Sequence, residues 1–74
     1  MGWFTIGTVR HTDSKGGTWD RRVAYNSDTG KTERTYGDKH SYPNSVKTNR
    51  DVGCARSAGH ALANAKRDLD RTFD

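Results

Sequence analysis

Large aliphatic side chains are scarce in this chain. Ile, Leu, Val and Phe supply nine of 74 residues: Phe4, Ile6, Val9, Val23, Val46, Val52, Leu62, Leu69 and Phe73. At that level composition alone begins to suggest disorder. Cysteine is almost missing as well. Cys54 stands alone, which excludes an intrachain disulfide and points to a reducing compartment. Neither Cys54 nor the histidines His11, His40 and His60 show a paired ligand spacing, so no metal staple or other cofactor is expected. No apolar run is long enough to cross a membrane. The start, Met1-Gly2-Trp3-Phe4, lacks the charged region and apolar stretch of a signal peptide. Gly2 resembles a myristoylation start, but Ile6 stands where Ser or Thr is required. A cytoplasmic protein without a membrane partner is the expectation.

What is present is polar and unevenly charged. The net charge is +4, and all of the excess lies in residues 1–50, with nine Lys/Arg against five Asp/Glu. Residues 51–74 hold four of each and are rich in alanine. A single domain of this length buries roughly 60% of its unfolded surface, so its margin of stability is thin. Without disulfide or metal, either a marginal monomer or a domain completed by a second copy or a target is expected, and the homodimer is the natural self-associated form.

Trp3–Thr12 is rich in aromatic, β-branched and Thr residues and reads as a central strand. Phe4, Ile6 and Thr8 would point one way, and Trp3, Thr5, Gly7 and Val9 the other. Asp13-Ser14-Lys15-Gly16-Gly17 reads as a turn. Thr18–Asn26 alternates, with Trp19, Arg21, Val23 and Tyr25 on one face and Asp20, Arg22, Ala24 and Asn26 on the other. Ser27-Asp28-Thr29-Gly30 fits a hairpin loop with Gly30 in the left-handed conformation. Lys31 to Tyr36 reads as a short, charged edge strand. Residues 37–50, with the only proline at Pro43, read as a long loop. From 51 to 73 the spacing of Ala55, Ala58, Leu62, Ala65 and Leu69 predicts a helix, opened by Thr48 with Asp51 as a capping box. The expected fold is therefore α+β: a small three-stranded antiparallel meander (1–36) packed on one C-terminal helix (51–73), in the order β-β-β-α. Leu62, Leu69 and Phe73 would anchor the helix against Trp3, Ile6 or Val23.

The uncovered sheet face is where function is expected. Arg10, Arg21, Arg22, Lys31 and Arg34 all fall in the sheet region, interleaved with Trp3, Trp19, Tyr25 and Tyr36. Arginine neutralises phosphates, and flat rings stack on bases. The candidate nucleic-acid contacts are Arg10, Arg21, Arg22, Lys31, Arg34 and Tyr36. Because adjacent strand residues face opposite ways, only one of Arg21 and Arg22 can lie on the open face; if Trp19 is in the core, that residue is Arg22. The ordinary alternative is that the rings belong to the core and the arginines to a solvated surface. The hairpin ending in Asp28-Thr29-Gly30-Lys31 and the helix after it resemble, in architecture, the three-stranded DNA-binding domains of tyrosine integrases that bind arm sites. That likeness implies a sheet docked on DNA, although the long 37–50 connection departs from the compact pattern of those domains.

Catalysis is not expected. His11, His40 and His60 fall on separate elements, which gives no readable acid–base pair. Cys54, at a soft helix start, reads as a small buried residue rather than a nucleophile. Gly7, Gly16, Gly17 and Gly30 do not have phosphate-loop spacing. Tyr42 either presents a contact anchor or folds back on the thin core. Two functions follow: a small non-enzymatic nucleic-acid-binding accessory or regulatory protein (DNA or RNA) acting through its basic sheet face, or a phage- or mobile-element-type protein-binding module that inhibits a host protein. A contiguous arginine patch marks the first, and an aromatic patch ringed by both signs of charge marks the second.

Overall fold

The computed structural model describes residues 2–35 and 49–73. They form four strands and one helix: β1 (Trp3–Thr12), β2 (Thr18–Asn26), β3 (Lys31–Thr35), β4 (Asn49–Cys54) and α1 (Ala58–Phe73). The class is α+β, with a single antiparallel sheet in the order β1-β2-β3-β4 and the C-terminal helix across one face.

Both tight turns form where the Gly and Asx residues put them. Asp13 accepts hydrogen bonds from the backbone N–H groups of Lys15 (3.0 Å) and Gly17 (2.8 Å). At the next turn the Gly30 N–H donates to the Asn26 carbonyl at 2.7 Å, with Gly30 at φ 79°. This is the left-handed conformation that glycine adopts without a Cβ penalty.

Three sequence expectations are corrected. The sheet has four strands, not three, because Asn49–Cys54 pairs with β3. The sequence pattern reads these residues as the end of a loop and the start of a helix. Their sequence, with Asn, Asp and Gly, carries little strand propensity, and the pairing comes from the β3 partner. Consequently β3 is not a solvent-facing edge: Thr32 and Arg34 are buried between β2 and β4. The helix starts at Ala58 rather than 51. Ser57 caps it, its Oγ accepting from the His60 N–H at 3.2 Å while its carbonyl takes the Ala61 N–H at 2.9 Å. Thr48, proposed as the cap, Tyr36 and the rest of the 37–48 connection lie outside the described residues, as does the side chain of Phe73.

A fourth difference explains how the core is assembled. β1 does not alternate through its length, because a bulge between Thr5 and Gly7 shifts its register against β2. The extra residue changes the phase of the strand. Phe4, opposite Tyr25, and Val9 thereby join Ile6 and Gly7 on the helix side, although strict alternation would separate Phe4 from Val9. The helix-side core has two parts. Val9, Val23, Ala65 and Leu69 pack with Ile6, Val52 and Leu62, and Tyr25 packs with Ala55 and Ala61. Ile6 and Val23 are therefore partners of the helix, but Trp3 is not: it faces the other way and is 44% exposed.

Candidate functional site

Of the six residues singled out for nucleic-acid contact, the five described do not share one surface. Arg21 and Arg34 lie on the helix side, in phase with Val23 and Thr32, and are the two largest fully buried side chains among the described residues. Arg34 is held from three directions. Its Nε donates to Asp68 Oδ2 at 2.8 Å, one terminal nitrogen to the Thr35 carbonyl at 3.1 Å, and the other to Thr72 Oγ1 at 3.0 Å. Arg50 on β4 donates to the same Asp68 oxygen at 3.0 Å. One helix carboxylate thus ties β3 and β4 to α1. A planar guanidinium suits this role because several N–H groups bind at once. Arg21 donates to the Asp20 carbonyl at 2.8 Å and is equally withdrawn from solvent. The long aliphatic stems of both arginines fill volume that Leu or Ile fills in a richer core.

On the open face Arg10 lies opposite Asp20, with Nε–Oδ1 at 2.7 Å and a second hydrogen bond at 3.2 Å. That hydrogen bond, more than charge alone, holds the Asp20 carboxyl below the usual carboxylate range and raises the Arg10 guanidinium. Arg22 is exposed, opposite Thr8, and its backbone N–H donates to Thr35 Oγ1 at 3.1 Å. Lys31 is exposed opposite Cys54. Tyr36 lies outside the described residues.

Among the described residues the cations of this face, Arg10, Arg22 and Lys31, share it with three carboxylates, Asp20, Glu33 and Asp51. Glu33 and Asp51 oppose each other directly across β3 and β4, and Asn49 Nδ2 donates to Glu33 Oε1 at 3.3 Å. A shallow depression of about 170 Å³ lies between them and β1, lined by Thr5, Arg22, Ala24, Glu33, Arg34, Thr35 and Asn49. Trp3, opposite Asn26, is in phase with Thr5 on this face and has an exposed indole, whereas Phe4, 47% exposed, lies on the helix side. The sequence offers Trp3, with Ile6 or Val23, as a partner of the helix. Its phase with Thr5, which pairs with Ala24, puts it on the side that faces away from the helix.

The remaining chemistry-bearing residues do not converge. His11 is buried, its Nδ1 2.8 Å from Asp70 Oδ1 near the end of α1, whereas His60 is exposed in the first turn of α1. Ten helical residues separate Asp70 from His60, or about 15 Å. His40 lies outside the described residues. Cys54 is exposed on β4, not buried at a helix start. Among the described residues no group of three or more His, Cys, Asp and Glu could hold a metal ion, and no helix is long and apolar enough to cross a membrane. Comparison with protein-family models, curated proteins and solved structures finds no significant match to this chain.

Proposed function

We propose that the chain is a protein-binding module whose contact surface is the open face of the sheet, from Trp3 across the depression to Asn49. The observation that supports this reading is the composition of that face. An exposed indole sits beside small residues, Thr5 and Ala24, and around them cations and carboxylates are balanced. A flat aromatic anchor ringed by both signs of charge suits a protein partner. It suits a polyphosphate poorly, since Glu33 and Asp51 would face the phosphates. Two like charges directly opposed across a strand pair are unfavourable on their own, so the partner best fitted here brings a Lys or Arg to them and an apolar pocket to Trp3. With Arg21 and Arg34 committed to the helix side, the described residues of the face carry Arg10 and Arg22 beside carboxylates rather than a contiguous arginine patch of the kind that favours DNA or RNA contact. A module of this kind works by occupying its target's surface, as an inhibitor of a host protein would.

The test is site-specific photocrosslinking in cells. A photoreactive residue at Thr5 is expected to give one discrete protein adduct, while the same group at Ser14, in the far turn, gives none. Trp3→Ala combined with Glu33→Lys is expected to abolish the adduct with melting temperature little changed. Failure of the Thr5 probe to give a protein adduct, or an identical adduct from Ser14, refutes the reading, and a nucleic-acid adduct at Thr5 restores the sheet as a phosphate-binding face.

A further inference from the structure

The outward side of α1 carries a stripe of exposed basic residues. Arg56, His60, Arg67 and Arg71 recur at steps of four, seven and four, and all are exposed. On a helix, steps of three and four align side chains in one stripe. The Arg56 N–H donates to His60 Nδ1 at 3.2 Å, which joins the residue before the helix to the same stripe. The described carboxylates of α1, Asp68 and Asp70, are engaged mainly with other groups. Asp68 is buried beneath Arg34 and Arg50, and its approach to Arg71 is long, at 3.8 Å, with the Arg71 side chain 76% exposed. Asp70 is turned toward β1, bonded to Lys66 at 2.7 and 2.8 Å and to His11. Arg67 has a neutral partner, Asn64 Oδ1 at 3.2 Å.

We propose that this stripe is a second binding surface, for the phosphate backbone of duplex DNA. The charge is of one sign: Arg67 and Arg71 lie about 6 Å apart along the helix, and Arg56 stands just before its first turn. Between the cations the outward side carries Gly59 and Ala63, both exposed and too small to hold a partner away. An α-helix fits the major groove of B-DNA, roughly 12 Å wide, and arginines along its outward stripe reach the flanking phosphates. An anionic membrane is a poorer fit, because binding there needs an outward apolar side. In α1 the apolar residues Ala61, Leu62, Ala65 and Leu69 are all used against the sheet. Contacts to phosphates alone carry no sequence information, so the binding is sequence-independent and salt-sensitive.

The test measures fluorescence anisotropy of a mixed-sequence DNA duplex against the full chain, from about 50 to 200 mM salt. Three arginine–phosphate contacts imply a log–log salt slope of about −3. Arg67→Glu with Arg71→Glu is expected to weaken binding more than tenfold at the lowest salt and to flatten the slope by about two units. Arg67→Gln with Arg71→Gln, which adds no negative charge, is expected to flatten it equally, so the result does not depend on the reversed variant folding well. Trp3→Ala and Arg22→Ala, on the sheet, are expected to leave DNA affinity unchanged, which separates this surface from the protein-binding face. Absence of DNA binding by the parent at low salt overturns the proposal. So does parent-like binding by the glutamine variant, or tighter binding to poly-glutamate or phosphatidylserine vesicles than to the duplex.

Discussion

At the scale of single residues, the arginines of this chain do two unrelated jobs. Arg34 and Arg22 are both strand arginines in the same sheet, yet one is 1% exposed and bound to Asp68, and the other faces solvent. Removing one partner of a buried, hydrogen-bonded pair leaves the other charge uncompensated and costs about 3–5 kcal/mol. Arg34→Ala is therefore expected to lower stability by about that amount, and Arg22→Ala by no more than about 0.5 kcal/mol. Urea denaturation of the two variants beside the parent checks this, and equal midpoints for both would mean that Arg34 is not the buried tie it is described as. Arg34→Lys is not expected to rescue, since an ammonium cannot reach Asp68, Thr72 and the Thr35 carbonyl together. Alternation along β2 already put Arg21 in phase with Val23 and Tyr25. The sequence does not reveal that an arginine in such a phase can be fully buried, because the carboxylate that receives Arg34 lies 34 residues away at Asp68.

At the scale of elements, glycines mark where the chain must bend and where it need not. Gly30 has φ 79°, and a Cβ there would stand 2.9 Å from the Ala55 carbonyl oxygen. The same approach carries the 2.7 Å hydrogen bond from the Ala55 N–H to the Gly30 carbonyl, which ties the end of β4 to the β2–β3 turn. Gly59, in the first turn of α1, has nothing within 4 Å of such a Cβ. Gly30→Ala is expected to destabilise by about 1–3 kcal/mol through backbone strain. Gly59→Ala is expected to stabilise by up to about 1 kcal/mol, because alanine loses less backbone freedom in a helix. Thermal melts of the two variants should move in opposite directions, and movement in the same direction would refute the assignment of either site. Gly30 and the Asp13 turn were legible because Gly and Asx residues dictate turn geometry locally. The β1 bulge, β4 and the helix boundary were not. A bulge is set by what packs beneath it, here Ile6 against the two parts of the core. Strand β4 is set by β3, and Ala55, before Ser57, satisfies a helical spacing without being helical. Ala55 is buried, but it serves outside the helix, its carbonyl accepting from the Tyr25 hydroxyl at 3.1 Å. The candidate site was legible only as a face: strand alternation separated the open side from the covered one, while its balance of charge depended on β4, which supplies Asp51 and Asn49.

At the scale of the whole molecule, a chain with nine Ile, Leu, Val and Phe residues holds its helix to its sheet with charged pairs as well as with apolar packing. The shortage that argued for a second copy is met in part by Arg21 and Arg34, and the bulges in β1 and β4 interrupt the two outer strands at which copies would pair. Reliance on carboxylates has a consequence for pH. Asp70 is held below the usual carboxylate range, first by its hydrogen bonds from Lys66 and then by His11, and Asp20 is held low by Arg10. A carboxyl that titrates lower in the folded than in the unfolded chain binds fewer protons when folded. Its contribution is therefore fully present above an unfolded value of about 4 and fades as the pH falls through the folded value. Protonation in the same range leaves 13 Lys and Arg with few opposing charges, which adds self-repulsion. Stability is thus expected to be level between neutrality and about pH 5 and to drop below about pH 4. Asp70→Asn isolates one part of this drop. Both Lys66 and Asp70 are partly exposed, at 48% and 38% of the side chain, so the loss near neutral pH should be about 1 kcal/mol or less. Melting curves of parent and variant from about pH 3 to 7 should lie apart near neutrality and converge in acid, where the parent's own Asp70 is protonated. A gap that stays constant down to the lowest pH would mean that the variant loses packing rather than charge, and that His11 is held under α1 without the help of the Asp70 carboxylate.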